Sequence, residues 1–130
     1  MQVLIFIVRG EKYAIPTDLV ETIENRAEMT IIPKSHEILM GLASIRGDVV
    51  PVINAGIILE EKLSDGREKL IVIAIENERY ALAVDDVDDV LEVSIDHLKK
   101  VNEDKSLSVI QFEDELIYLI PSRLFEKINI

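Results

Sequence analysis

The sequence of 130 residues contains no cysteine and no tryptophan. The lack of cysteine excludes a disulfide framework and fits a reducing compartment such as the cytoplasm. The five glycines are too scattered to form a glycine-rich loop that binds phosphate. No apolar run reaches the ~18 residues that a membrane-spanning helix needs. The apolar N-terminus lacks the basic start and cleavage site of a signal peptide, so it is predicted to be a strand.

Positive charge is also scarce, because 14 Lys and Arg face 25 Asp and Glu, for a net charge of −11. Such a balance repels phosphate backbones and anionic lipid, which argues against nucleic-acid or membrane-surface partners and favours a protein partner. β-Branched residues, in contrast, are abundant, because the chain has 20 Ile and 13 Val. These residues favour pleated, half-buried surfaces, so the composition predicts a β protein.

The chain contains an internal repeat at an offset of 67 residues. Residues 11–15 fall on residues 78–82, and without any change of offset residues 49–53 fall on residues 116–120. One offset that serves both ends of a half-chain is hard to obtain by chance. The sequence therefore predicts two copies of one unit, with the central part of each copy forming loops.

Each copy shows the same succession of short apolar runs and polar turns. The predicted strands are 3–8, 13–15, 20–24, 42–45 and 49–53 in the first copy, and 70–75, 80–84, 87–93, 109–112 and 116–120 in the second. Five short strands with polar hairpins are typical of a small SH3-like barrel. The prediction is two tandem five-stranded SH3-like barrels, with short helical segments at 55–59 and 122–128.

The two copies divide the chain at residues 1–66 and 67–130. A barrel of about 65 residues is marginal alone because it buries too little of its surface, so the two barrels are expected to share an apolar seam. Tandem barrels can also exchange a terminal strand. In that case the sequence halves need not equal the spatial halves.

Residues that carry chemistry are few. His36 and His97 have no Cys or second His near them in sequence, and they are predicted to be exposed rather than metal-bound. No Ser is accompanied in sequence by a base and an orienting group. The acidic run at 84–90 could form a divalent-cation site, but a charged strand edge with its valines facing inward is favoured. No catalytic residue, metal or cofactor is predicted.

The tripeptide Arg46-Gly47-Asp48 matches a cell-adhesion motif, but that function requires an extracellular protein, for which the sequence offers no support. A hairpin turn explains it better, with either Gly47-Asp48 or Arg46-Gly47 as the two central residues. The second copy has an acidic turn, residues 113–115, at the equivalent place. The turn is therefore architecture, whereas Arg46 is particular to the first copy.

The ordered set of these features resembles the CheW family of chemotaxis coupling proteins over essentially the whole chain. The segments that carry the resemblance are residues 13–16, Val20, residues 32–33, Gly41 and residues 45–53. The resemblance implies two five-stranded SH3-like barrels, in agreement with the repeat. It also implies a non-catalytic cytoplasmic adaptor that couples the tip of a chemoreceptor to the regulatory domain of a CheA-type histidine kinase.

Several positions depart from the family pattern. Thr22 replaces the usual Glu, Ser44 replaces the common Asn, and residues 54–56 replace the usual Asp-Leu-Arg. The alternative is therefore a divergent CheW-like interaction module of another two-component signalling system.

The resemblance also implies site residues. The positions that match receptor- or kinase-coupling positions of the family are Val20, Glu21, Thr22, Gly41, Arg46 and Gly47. Arg46 would be the polar anchor, since a guanidinium pairs with carboxylates or caps carbonyls. The receptor helix is expected in the groove between the barrels. Weaker candidates for a kinase-binding face are Val109, Ile110 and Phe112, whose alternative role is barrel core.

Overall fold

The computed structural model describes residues 1–25, 29–31, 39–55, 69–100 and 108–120. The strands in these residues are β1 Gln2–Val8, β2 Glu11–Pro16, β3 Val20–Asn25, β4 Met29–Ile31, β5 Leu39–Ile45, β6 Asp48–Asn54, β7 Lys69–Ile75, β8 Glu78–Val84, β9 Asp86–Glu92, β10 Leu98–Lys100, β11 Ser108–Phe112 and β12 Glu115–Leu119. Two short 3-10 turns, Thr17–Leu19 and Ile95–His97, precede β3 and β10. The predicted all-β class is confirmed.

Each copy has one strand more than the sequence predicts. The extra strands β4 and β10 lie where loops are expected, and each has only three residues, too few for a periodic pattern to show. They pair with β5 and β11 respectively at the ends of their sheets. The predicted helical segments at 55–59 and 122–128 lie outside the described residues, except for Ala55, which has a helical backbone.

The strands in the described ranges form two six-stranded sheets. Sheet I has the order β10-β11-β12-β2-β1-β9, and sheet II has the order β3-β7-β8-β6-β5-β4. Each sheet thus takes one hairpin from the other half of the chain: β1–β2 lies in sheet I, and β7–β8 lies in sheet II. The division at 1–66 and 67–130 remains a prediction about the repeat, and the sheets do not follow it.

The internal duplication is visible in the pairing of the strands. Each exchanged hairpin joins its sheet through a parallel pair, β2 beside β12 and β8 beside β6. The register places Ala14 opposite Leu119 and Ala81 opposite Val52. These two pairs are related by the same offset of 67 residues, so the two halves are built on one plan.

The hairpin β1–β2 is buried on both of its faces. Leu4, Phe6 and Val8 belong to a large core cluster that also contains the apolar residues of β5 to β8. Val3 and Ile5, on the opposite face of β1, belong to a smaller cluster with β11 and β12. Alternate residues of one strand therefore enter two different cores, which explains why β1 is a continuous apolar run rather than an alternating one.

Replacing Phe6 by Ala tests this placement. The ring is fully buried, so the substitution should lower the free energy of unfolding by about 3–5 kcal/mol through lost burial and a residual cavity. The measurement is urea unfolding at equilibrium. Val49→Ala is the control, because Val49 is also on a strand but 70% exposed, and its effect should stay within about 0.5 kcal/mol. Equal effects of the two substitutions would contradict the placement of β1.

Candidate functional site

Arg46 and Gly47 are the two central residues of the hairpin between β5 and β6. Both have positive φ, 51° and 88° respectively, as a type I′ turn requires. Asp48 pairs with Ile45 and is the first residue of β6, so the alternative turn at Gly47-Asp48 is wrong. Asn, Asp or Gly is the usual residue at the first central position. An arginine at this φ costs about 1 kcal/mol and is not explained by the turn itself.

The Arg46 side chain reaches across to β3. Its Nε lies 3.1 Å from Glu24 Oε1, and its Nη2 lies 3.5 Å from Thr22 Oγ1. Thr22 Oγ1 in turn donates a hydrogen bond of 3.2 Å to Glu24 Oε1. These three residues form what we call the Arg46 cluster. The Arg46 side chain is 73% exposed, compared with 27% for Glu24, so the guanidinium is held at one edge and presents the remainder to solvent.

The Arg46 cluster shows that sheet II is curled. In the order of this sheet, β7 and β8 separate β3 from β6. In a flat sheet those three steps would place β3 about 14 Å from β6, too far for one side chain to span. Because Arg46 nevertheless contacts β3, the sheet bends until β3 approaches the β5–β6 hairpin, as in an SH3-like barrel.

A second bridge joins β3 to the same hairpin and uses a residue from the other half of the chain. Arg79 of β8 places Nε 2.7 Å from Glu21 Oε2 and Nη1 2.8 Å from Asp48 Oδ2. Desolvation lowers the pKa of Arg79, but the hydrogen bonds and charges of Glu21 and Asp48 together outweigh it and raise that pKa. We call these three residues the Arg79 triad.

Sheet I contains a copy of this triad. Lys12 Nζ lies 2.9 Å from Glu115 Oε2 and 3.4 Å from Asp88 Oδ2. The hydrogen bond to Glu115 is the main reason that the pKa of Lys12 is raised. The offset of 67 residues relates Lys12 to Arg79, Asp88 to Glu21 and Glu115 to Asp48. The Lys12 triad therefore repeats the Arg79 triad with the same charges.

The Arg46 cluster has no such copy. The positions equivalent to Thr22, Glu24 and Arg46 hold Asp89, Leu91 and Glu113. Glu113 keeps the positive φ of the turn, 54°, but reverses the charge. The triads thus belong to the architecture that both halves share, whereas the Arg46 cluster is specific to the first half. The sequence repeat singles out Arg46, but it misses Glu24 and Arg79, whose roles depend on how the sheets curl and exchange hairpins.

The structure brings Glu21, Thr22, Arg46 and Gly47 together through these two bridges. Val20 is half-buried against the large core. Gly41 is buried in β5 opposite Val52, four residues from the end of that strand and therefore about 14 Å from the turn. The part of Val20 and Gly41 in the coupling surface therefore stays a prediction.

The candidates for a kinase-binding face lie mainly in the interior. Ile110 is fully buried in the smaller core, and Val109 is 6% exposed. Phe112 is half-buried against the same core. Packing accounts for the positions of these three residues, and their role at a kinase-binding face stays a prediction.

His97 closes a 3-10 turn. Its Nδ1 lies 3.1 Å from Ser94 N and 3.0 Å from Ser94 Oγ, and its ring packs against Phe112 with 5.8 Å between centroids. His97 is half-buried rather than exposed as predicted. His36 lies outside the described residues.

The carboxylates of the acidic run have separate partners and do not act as a group. Asp86 Oδ1 lies 2.8 Å from Lys69 Nζ, and this contact is the main cause that lowers the pKa of Asp86. Asp85 accepts a hydrogen bond of 2.7 Å from the backbone N–H of Arg9. Val90 is 47% exposed rather than facing inward, although Val87 of the same strand packs against the large core as expected. Among the described residues no three His, Asp or Glu side chains converge as metal ligands would.

Comparison with known proteins gives a consistent result. A family model described as the CheW-like domain matches residues 2–127. The chemotaxis protein CheW of Thermotoga maritima is 26% identical over 136 residues, covering 99% of this chain and 90% of that protein. The chemotaxis protein CheW of Bacillus subtilis is 28% identical over 129 residues, covering 92% and 82% respectively.

The fold has a close counterpart among solved structures. The crystal structure of the scaffolding protein TtCheW from Thermoanaerobacter tengcongensis superposes with a TM-score of 0.81, at 20% identity, over 92% of this chain and 88% of that one.

No helix in the described ranges is long and apolar enough to cross a membrane.

Replacing Arg46 by Asn tests whether this arginine is needed for stability. Asn tolerates the positive φ and removes the ion pair with Glu24, which is worth at most about 1 kcal/mol in its exposed position. Glu113→Asn is the matched control, since Glu113 has the same φ and makes no ion pair with a described residue. Thermal and urea unfolding should show similar small changes for both. A loss of several kcal/mol for Arg46→Asn alone would make Arg46 a structural residue.

Tyr80, the neighbour of Arg79, gives a prediction on pH. Its hydroxyl donates a 2.5 Å hydrogen bond to Glu78, and this bond, with burial, raises its pKa to about 12. An unfolded chain releases the phenol proton near pH 10, so the stabilisation is fully present below about pH 10 and is lost as pH rises toward 12. The difference in unfolding free energy between the protein and Tyr80→Phe should decline in that window. A constant difference from pH 8 to 12 would contradict the raised pKa.

Proposed function

We propose a function from one premise, which is that the chain belongs to the CheW-like domain family, whose model matches nearly its whole length. The protein is a non-catalytic adaptor that couples chemoreceptors to a CheA-type histidine kinase in chemotaxis. The two relatives named above are chemotaxis proteins, and the structural neighbour is described as a scaffolding protein. The adaptor would act in the cytoplasm, at receptor arrays.

The single observation that carries the proposal is the placement of Arg46. A guanidinium that is 73% exposed stands at the tip of the β5–β6 hairpin, and the equivalent turn of the other half has a glutamate in its place. The ion pair with Glu24 uses only one edge of the guanidinium, so its remaining N–H groups are free to bind a partner's carboxylate. We infer that Arg46 is the polar anchor of a coupling surface that also contains Glu21, Thr22 and Gly47, supported by Val20 and Gly41.

Glu24 explains how the surface tolerates its main departure from the family pattern. Thr22 stands where the family usually has Glu, which removes a carboxylate opposite the arginine. Residues two apart on a strand share a face, so Glu24 supplies a carboxylate on the same side of β3. The Thr22 hydroxyl lies within reach of both Glu24 and Arg46. The arginine is therefore still held across the hairpin, although by a different residue.

The finer details of the partners form part of the proposal. The receptor is expected to contribute the helical tip of its cytoplasmic coiled coil, laid in the groove between the barrels. The kinase is expected to contribute its regulatory domain. The alternative, a divergent module of another two-component system, is favoured by the departures at Ser44 and at residues 54–56. In that case the module would bind a kinase and receptor of a different system.

Arg46→Glu tests the proposal with the kinase regulatory domain and the receptor encoded in the same genome. Affinity for at least one of them should fall roughly tenfold or more, because reversing the charge of an anchor at a desolvated contact is costly. Calorimetric titration measures the affinity, and circular dichroism verifies folding.

The control is Arg9→Glu. Arg9 is also an exposed arginine at the first central position of a two-residue hairpin turn, with φ of 52°, but it lies in the exchanged β1–β2 hairpin. The Arg9→Glu variant should bind both partners with the same affinity as the unmodified protein. If the folded, unmodified protein binds neither partner, the proposed function is wrong.

A further inference from the structure

We infer that Arg79, which belongs to the second half of the chain, is a positioning residue for the coupling surface of the first half. The inference rests on the proposed function of that surface and adds a residue to it. Arg79 is not itself a contact to the partner. It holds the two elements between which Arg46 is presented.

Arg79 joins the same two elements as Arg46, the β5–β6 hairpin and β3, but it contacts different residues of each. Arg46 connects the tip of the β5–β6 hairpin to Thr22 and Glu24 of β3. Arg79 connects Asp48, at the base of that tip, to Glu21 of β3. Because Asp48 directly follows the turn, fixing its carboxylate fixes the direction in which the hairpin tip points.

The position of Glu21 in β3 gives Arg79 a second role. The register of β3 against β7 shifts between Val20 and Thr22, so Glu21 is the extra residue of a bulge. A bulge changes the direction of its side chains and bends the strand. The 2.7 Å contact of Arg79 with Glu21 holds this irregular point, and Thr22 and Glu24, which hold Arg46, follow directly along the strand.

Charge supports the same role. The surface around the hairpin contains three carboxylates, of Glu21, Glu24 and Asp48, and two guanidiniums, of Arg46 and Arg79. Without Arg79, two uncompensated carboxylates would flank Arg46 and compete with the acidic group of a partner. Arg79 therefore keeps Arg46 electrostatically available while it remains only 31% exposed itself.

Exposed apolar side chains follow the same duplication, on residues that alternate in sequence with those of the bridges. Ile23, between Thr22 and Glu24 in sequence, is 43% exposed, and Val49, next to Asp48, is 70% exposed. The equivalent residues Val90 and Leu116 beside the Lys12 triad are exposed as well, at 47% and 57%. The two ends thus share the triad and the apolar pair, and they differ in Arg46.

This difference provides a matched control within the chain. If a triad only stabilises an exchanged hairpin, Arg79→Gln and Lys12→Gln should have the same effects. If Arg79 also positions the coupling surface, the two variants should lose similar stability, but only Arg79→Gln should bind the partner more weakly, by about tenfold for residues coupled through one network. Affinity is measured by calorimetric titration with the partner whose binding depends on Arg46, and stability is measured by thermal unfolding.

Two further variants separate positioning from simple loss of packing. Arg79→Lys should restore most of the affinity, because Lys12 shows that one ammonium bridges the equivalent two carboxylates. Combining Arg79→Gln with Arg46→Asn should weaken binding little beyond Arg46→Asn alone, since Arg79 acts through Arg46. Should Arg79→Gln not fold, Asp48→Asn with Glu115→Gln as its control makes the same comparison.

The outcomes are distinct. Equal loss of affinity in the Arg79 and Lys12 variants, or normal affinity of Arg79→Gln, overturns the inference while the proposed function stands. Fully additive effects of Arg79→Gln and Arg46→Asn also overturn it. Failure of the unmodified protein to bind either partner overturns the proposed function and, with it, this inference.

Discussion

The burial of the β1–β2 hairpin on both faces is the constraint on which the other features depend. Leu4, Phe6 and Val8 pack into the large core, while Val3 and Ile5 pack into the smaller one. A strand with two apolar faces is unstable in a barrel that has solvent on one side, so the hairpin lies between the cores and joins the sheet of the opposite half. The other exchanged hairpin, β7–β8, is similarly apolar and completes sheet II in the same way.

This exchange makes the candidate site a product of both halves. The hairpin tip and β3 come from the first half, but the residue that bridges them, Arg79, arrives on β8. Exposed and partly exposed ion pairs contribute little to stability. The two triads therefore matter for the placement of elements rather than for stability. Each triad joins an exchanged hairpin to a strand at the end of the sheet and to a nearby turn. In sheet II, this placement determines where Arg46 points.

Duplication followed by divergence separates architecture from function in this molecule. The turn at Arg46 and the turn at Glu113 share positive φ, 51° and 54°, and their hairpins carry equivalent ion pairs and equivalent exposed aliphatic residues. One carries a guanidinium held by Glu24 of β3. The other carries a carboxylate, and Leu91 occupies the position equivalent to Glu24. A fold does not determine a function, and here the same fold within one chain presents turn residues of opposite charge.

The sequence by itself determined the all-β class, the duplication, most of the strands and the singular position of Arg46. These features follow from local composition and from an internal repeat that is still visible in the amino-acid sequence. It did not reveal β4 and β10, because three-residue strands carry no period, and it left open which two residues form the turn at Arg46. It also could not identify Glu24 or Arg79 as partners of the site. Those contacts depend on the curl of sheet II and on the exchange of hairpins, and only tertiary packing, which buries both faces of β1, decides how distant strands meet.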